Sequence, residues 1–128
     1  MIYLDSSVAL AYLLGEDRTP PASLWKSPLV SSRLLQFEVW TRVHARGLTA
    51  SHSQLVDLLL KRVSFLEMVI PVLNRSLHPF PVPVRTLDAL HLASADFVRA
   101  QGKPVTIASY DDRLVGAARQ MGFEIADV

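Results

Sequence analysis

The sequence has no cysteine, almost no net charge and no long hydrophobic run. Without cysteine there is no disulfide framework and no thiolate ligand for zinc. The formal net charge of +1 excludes a protein that holds nucleic acid by bulk charge, so any such contact must be local. No apolar stretch approaches the about 20 residues that a membrane helix needs, and the start MIYLD resembles no export signal. We therefore expect a cytoplasmic protein without a membrane segment.

What the sequence does contain is a high proportion of apolar residues for its length. Half of the 128 residues are hydrophobic, and this length is typical of one domain. No linker or repeat divides the chain, so we expect a single domain over residues 1–128. The surplus of apolar residues fits a tightly packed core, and it fits equally well a surface that a partner covers.

Short apolar segments alternate with segments of helical spacing along the chain. Strands are predicted at residues 2–4, 28–32, 67–72, 104–109 and 123–128. Helices are predicted between them, including one at 55–66 that Ser51 and Gln54 would cap, while prolines make residues 74–86 an exposed loop. Strands that alternate with helices predict an α/β fold with a parallel sheet covered by helices on both faces.

Two acidic residues follow predicted strands. Asp5 comes directly after the strand IYL, and Asp111 follows the strand PVTIAS. In an open parallel sheet the ligand site lies beyond the carboxyl ends of the strands, so these two acids are expected to meet at one edge. The alternative is that each acid only complements the dipole at the start of the next helix.

Two further acids lie on the apolar sides of their predicted helices. Helical geometry places Glu38 between Leu34 and Leu35, and places Asp88 on the stripe of small and apolar residues of its own helix. The alternative for Glu38 is an ion pair with Arg42 on a solvated face. Four converging carboxylates would repel one another, by about 4 kcal/mol for a pair ~4 Å apart, unless a cation lies between them.

A divalent cation would resolve this repulsion. The ligands are hard oxygens, and the sequence has neither cysteine nor a convergent pair of histidines, which favours Mg²⁺ or Mn²⁺ over zinc. Such an ion activates water and neutralises a phosphodiester, which is why nucleases assemble carboxylates. His91 has the spacing to orient Asp88, and a packed or supporting histidine is a more common role at such a position than a catalytic one. Ser6 and Ser7 fit either helix capping or metal-bound water.

Four motifs together resemble a known family. "YLDSSVALAYLLGE", "VSSRLLQFEVWTRV", "VRTLDALHLASA" and "IASYDDRLVGAARQMGFEI" occur in the order found in the PIN-domain ribonucleases, and they are most similar to those of the VapC toxins of bacterial toxin–antitoxin pairs. They span nearly the whole chain. The resemblance implies a three-layer fold with a five-stranded parallel sheet, endonucleolytic cleavage of RNA with Mg²⁺ or Mn²⁺, a homodimer and a cognate antitoxin.

The resemblance also assigns roles to individual residues. It implies that Asp5, Glu38, Asp88 and Asp111 form the catalytic acidic set, with Asp5, Asp88 and Asp111 as metal ligands and Ser7 as the accompanying hydroxyl. Asp112 competes with Asp111 for the fourth position. We expect Asp111, because Asp112 would point ~100° further around the helix that follows.

Two arginines of the predicted loop are candidates for contacts to the substrate. Arg75 and Arg85 lie within residues 74–86, just before the helix that carries Asp88, and arginine suits phosphate. The alternative is an ordinary solvated loop. For the whole protein, the rival function is a PIN-like module that binds RNA or a protein partner without turnover.

Overall fold

The structure, a computed structural model, describes all residues from 1 to 128. Five short strands form one sheet, and every neighbouring pair is parallel. The strands are β1 (Ile2–Leu4), β2 (Leu29–Ser32), β3 (Val63–Leu66), β4 (Thr106–Ala108) and β5 (Glu124–Ile125). The predicted α/β fold with a five-stranded parallel sheet is therefore confirmed.

Six α-helices connect the strands. They are α1 (Ser6–Leu14), α2 (Leu34–Ala45), α3 (Thr49–Leu60), α4 (Ile70–Ser76), α5 (Thr86–Ala100) and α6 (Asp112–Gln120), and a 3₁₀ turn spans Ala22–Lys26. Gly15 closes α1 in the left-handed conformation, with φ of 61°, as its place after the apolar run predicts. None of the helices combines the length and apolar character that crossing a bilayer would require.

The sheet has the order β3-β2-β1-β4-β5. The chain therefore winds outward from β1 in one direction through β2 and β3, and then in the other direction through β4 and β5. The order reverses between β1 and β4, which lie side by side with Leu4 opposite Ala108. At such a switch point the loops after the two strands separate and leave a crevice. Asp5 and Asp111 follow these two strands.

Each central strand sends alternate residues to opposite faces, which gives the three layers. Leu4, Leu29 and Ala108 belong to a core shared with α1, α2 and α3. Their neighbours Tyr3, Val30 and Ile107 belong to a second core shared with α5 and α6. This is the period of two that extended chains impose. Helix α4 packs against α5 on the second face.

The predictions for residues 49–76 are wrong in detail. The helix predicted at 55–66 begins at Thr49 and ends at Leu60, and Ser51 lies inside it. The segment Val63–Leu66 is instead the strand β3, because it hydrogen-bonds to the free side of β2 in parallel register. The strand predicted at 67–72 contains the start of α4, where Pro71 is tolerated because the first helical turn needs no amide donor.

Candidate active site

Asp5 is held in place by three hydrogen bonds to one of its oxygens. Its Oδ2 accepts from the Ser7 amide at 3.4 Å, the Ser7 hydroxyl at 2.6 Å and the Ser109 hydroxyl at 2.8 Å. The residue is 5 % exposed and is the N-cap of α1. Because Oδ1 takes part in none of these bonds, it stays free to meet a ligand. The capping role and the proposed functional role therefore coexist in this side chain.

Ser109 joins Asp5 to the last acid of the site. Its hydroxyl donates to Asp5 and accepts from the amide of Asp111 at 3.0 Å. Asp111 is the N-cap of α6, since its Oδ1 accepts from the amides of Arg113 at 2.9 Å and Leu114 at 3.2 Å. Asp112 is the first residue of the helix and is exposed. Sequence reasoning missed Ser109, although its place at the end of PVTIAS was a signal.

Glu38 is oriented by two side chains from other helices. Ser6 donates to its Oε2 at 3.1 Å, and Nε2 of His91 lies 2.5 Å from its Oε1. The alternative of an ion pair with Arg42 does not occur. His91 thus orients Glu38, whereas the sequence spacing suggested Asp88. Burial disfavours the charged ring of His91, but the hydrogen bond and charge of Glu38 outweigh it and raise the pKa of His91 overall.

A buried chain of hydrogen bonds fixes His91 in turn. The Tyr3 hydroxyl accepts from the Ser32 amide at 3.1 Å and lies 2.7 Å from Nδ1 of His91. Burial holds the pKa of Tyr3 above its usual range, so this phenol stays protonated, and it donates to Nδ1 whenever the imidazole is neutral. Because the carboxylate of Glu38 only accepts hydrogen bonds, Nε2 carries a proton that points to Glu38 in either charge state of the ring. The chain thereby links the centre of the sheet to the acidic site.

Replacing Tyr3 by phenylalanine should lower the free energy of unfolding by about 1–3 kcal/mol, because the buried partners of the hydroxyl lose their hydrogen bonds. Urea unfolding followed by circular dichroism measures this. Tyr12→Phe is the matched control, since Tyr12 is exposed and its hydroxyl makes no hydrogen bond to another residue. Equal stability of Tyr3→Phe and wild type would contradict the structural role of the chain.

Asp88 lies in the first turn of α5, half-buried, and shares an electrostatic field with two other acids. Partial burial raises its pKa, and the negative charges of Asp111 and Asp5 raise it further. No arginine, lysine or histidine forms an ion pair with any of the three carboxylates. The structure therefore brings Asp5, Asp88 and Asp111 to one edge of the sheet without a compensating cation from the chain.

The chemistry of this edge fits a divalent cation. The available groups are carboxylates and hydroxyls, the oxygen donors that hard cations prefer. The raised pKa of Asp88 results first from partial burial and then from the negative charges of Asp111 and Asp5, and a bound cation would offset those charges. The carboxylates are nevertheless not gathered into a closed shell, since no three acids or histidines lie at the spacing of a ready-made metal site. An ion bound here would keep part of its own water.

Three arginines border the acids. An open cleft of about 860 Å³ lies beside Asp88 and Asp111, and Arg42, Arg85 and Arg113 line it. The position predicted for Arg85 is thus next to the acidic edge. The sequence suggested Arg42 only as an ion-pair partner of Glu38 and suggested no role for Arg113, although each lies within four residues of a candidate acid. The arrangement offers negative charge at the centre and positive charge around it.

Arg75 lies elsewhere and is engaged in holding its own segment. Its guanidinium is 3.5 Å from the carboxylate of Asp96 and 4.3 Å from the ring centre of Phe80. It also donates to the carbonyls of His78 and Pro79. The structure does not bring Arg75 to the cleft, and a contact to substrate from this residue stays a prediction.

Comparisons with known proteins agree with this geometry. The PIN domain family model matches residues 2–120. The chain therefore belongs to the PIN-domain family. Two relatives from Mycobacterium tuberculosis are named ribonucleases: VapC47, 29 % identical over 98 % of this chain and 96 % of its own, and VapC46, 30 % identical over 97 % and 95 %.

A solved structure has the same fold. The crystal structure of Mycobacterium tuberculosis VapC20, described as a sarcin-ricin loop cleaving toxin, superposes with a TM-score of 0.73 over the whole of both chains. The two sequences are 19 % identical. This similarity establishes the three-layer architecture for the present chain and adds nothing about its substrate.

Proposed function

We propose that this chain is a metal-dependent endoribonuclease that acts as the toxin of a type II toxin–antitoxin pair. The observation that carries the proposal is the meeting of Asp5, Asp88 and Asp111 at one edge of the sheet, with no ion-pair partner and with the pKa of Asp88 raised by partial burial and then by the charges of the other two. The ribonuclease names of the relatives support the choice of RNA.

In this proposal Asp5, Asp88 and Asp111 hold one divalent cation, Mg²⁺ or Mn²⁺. When bound, such an ion supplies an activated water and neutralises charge on the phosphodiester. The hydroxyls of Ser7 and Ser109 keep Asp5 aimed, through bonds of 2.6 and 2.8 Å. Glu38, held by Ser6 and His91, is the fourth catalytic acid and would help to orient the water that attacks the phosphodiester.

Binding of Mg²⁺ or Mn²⁺ should raise the melting temperature, because a ligand that binds only the folded state stabilises it by RT ln(1 + [L]/Kd). The measurement is thermal unfolding during titration with each ion, beside cleavage of labelled single-stranded RNA with and without chelator. We expect cleavage only with the ion, and a much smaller thermal shift in Asp88→Asn. Cleavage that survives chelation would refute the metal mechanism, and tight RNA binding without any cleavage would favour the rival binding module.

The arginines of the cleft bind the phosphates that flank the scissile bond. Arg85→Ala should weaken RNA binding and reduce the slope of log affinity against log salt by about 0.7, the value for one phosphate contact on a single strand. Fluorescence anisotropy over a salt series, in chelator, gives the slope. Arg46→Ala is the control, because Arg46 is an exposed arginine that does not line the cleft. An unchanged slope for Arg85→Ala would exclude the contact.

The partners follow from the same proposal. A toxin that cleaves RNA acts in the cytoplasm, as one domain spanning residues 1–128, and needs a cognate antitoxin. Exposed apolar residues at the two ends of α4 favour a covered surface there, since Ile70, its first residue, is 71 % exposed and Leu77, which directly follows the helix, is 84 % exposed. We propose a homodimer for this chain, which sedimentation analysis over a concentration series would test.

A further inference from the structure

A second cleft meets the acidic edge at Asp111. It has a volume of about 680 Å³ and is lined by Ser7, Ala11, Glu16, Asp17, Arg18, Tyr110 and Asp111. Asp111 also lines the cleft of the three arginines, so this acid stands where the two clefts adjoin. The two differ in chemistry, because the first has three guanidinium groups beside three carboxylates, whereas the second has three carboxylates, a single guanidinium group and an aromatic ring.

Tyr110 and Arg18 form a stacked pair inside this second cleft. The guanidinium carbon of Arg18 lies 4.9 Å from the ring centre of Tyr110. The backbone amide of Tyr110 donates to the Ser7 hydroxyl at 2.9 Å, and that hydroxyl donates to Asp5. The backbone that carries the ring is therefore tied to the acidic site. The Tyr110 hydroxyl is the one buried side-chain polar atom of residues 1–128 without a hydrogen-bond partner.

We propose that this second cleft binds an unpaired base of the RNA substrate, next to the cleaved phosphate, with Tyr110 and Arg18 as the stacking platform and with guanine as the preferred base. The inference rests on the ribonuclease function proposed above. Unpaired bases stack on aromatic rings and on guanidinium planes, and are read by hydrogen bonds to their Watson–Crick edges.

The charges of the cleft decide between backbone and base. The carboxylates of the second cleft outnumber its one guanidinium group and repel phosphate, whereas the three arginines balance the carboxylates of the other cleft, so the backbone passes along the arginine cleft while a base enters beside Tyr110. A carboxylate only accepts hydrogen bonds. Guanine presents two adjacent donors, N1–H and the N2 amino group, to the two oxygens of one carboxylate. Adenine and cytosine place a lone pair beside their amino group, and uracil flanks its N3–H with two carbonyls, so each meets the carboxylate less well.

The test starts from the cleavage sites of the wild type in a random single-stranded RNA. Short RNAs that differ only in the base flanking the cut, guanine or adenine, are then compared for cleavage, and for affinity by anisotropy in chelator. We expect Tyr110→Leu to weaken RNA affinity by about 10- to 100-fold, the range for loss of one base stack, and Tyr110→Phe to recover most of it. Tyr12→Leu is the control, because Tyr12 packs on Trp25 outside this cleft.

The acidic residues are tested with the double variant Glu16→Gln, Asp17→Asn. It should reduce the preference for guanine over adenine and leave cleavage dependent on the metal. Wild-type affinity in Tyr110→Leu, while the wild type cleaves RNA, would overturn the stacking platform and leave the proposed function standing. Equal cleavage of the guanine and adenine RNAs by the wild type would overturn the base preference. A wild type that neither binds nor cleaves RNA would overturn the proposed function itself.

Discussion

Asp88→Asn is expected to lower the rate of metal-dependent RNA cleavage by about a thousandfold or more, since a metal ligand supports several kcal/mol of transition-state stabilisation. The substitution keeps the size of the side chain and removes its charge. Single-turnover cleavage at saturating Mn²⁺ measures the loss. Asp57→Asn is the matched control, because Asp57 is an exposed aspartate of α3 on a helix that contributes no acid to the site.

The same variant separates a catalytic role from a structural one. Because the pKa of Asp88 is raised in the folded protein, the folded state binds more protons than the unfolded state between the ordinary and the raised pKa. The free energy of unfolding therefore falls as pH rises through that window, and the uncharged amide of the Asp88→Asn variant would remove this loss. In chelator at neutral pH we expect Asp88→Asn to melt at or above the wild-type temperature. Failure of the variant to fold would contradict the assignment.

Asp111→Asn should reduce RNA cleavage by about a hundredfold or more, and Asp112→Asn by less than about threefold. Asp111 lines both clefts and, after burial, its charge is the largest cause of the raised pKa of Asp88, whereas the exposed Asp112 lines the arginine cleft alone. The two neighbouring carboxylates are controls for each other. The measurement is single-turnover cleavage of both variants at saturating Mn²⁺.

Loss of helix capping should not affect the comparison of Asp111→Asn with Asp112→Asn. Asparagine is as good an N-cap as aspartate, so Asp111→Asn keeps the bonds to the amides of Arg113 and Leu114. Equal melting temperatures of the two variants would show that α6 is intact in both. A larger loss of cleavage in Asp112→Asn than in Asp111→Asn would transfer the fourth acidic position to Asp112.

Local sequence determined the fold class and the place of the acids. A short apolar run followed by an acid and a helical run has few structural solutions, because the strand must be buried and the acid then caps the helix. This holds for Asp5 after β1 and for Asp111 after β4. Parallel strands end at the same edge of a sheet, so the meeting of the two acids followed without coordinates.

For the segment around β3, local sequence was not enough to predict the secondary structure. The run Val63–Leu66 is apolar enough for a helix or a strand, and its length is too short for periodicity to distinguish them. Its conformation is decided by β2, whose remaining hydrogen-bonding side it satisfies. Local sequence was also insufficient for α4, because its proline is compatible with a helix only in the first turn and the start of the helix could not be recognised from the sequence.

The details of the site depended on tertiary structure because they rest on contacts between residues far apart in the sequence. The bond from Ser109 to Asp5 joins residues 104 positions apart, and that from Tyr3 to His91 joins residues 88 apart. Such hydrogen bonds cannot be predicted from local sequence, because the residues around each donor or acceptor carry no information about its distant partner. The order of strands, acids and helices along the chain was enough to predict which acids lie at the edge of the sheet. Only the packing of α2 and α5 on that sheet decided that Glu38 meets His91, and that Arg42 borders the cleft while Arg75 does not.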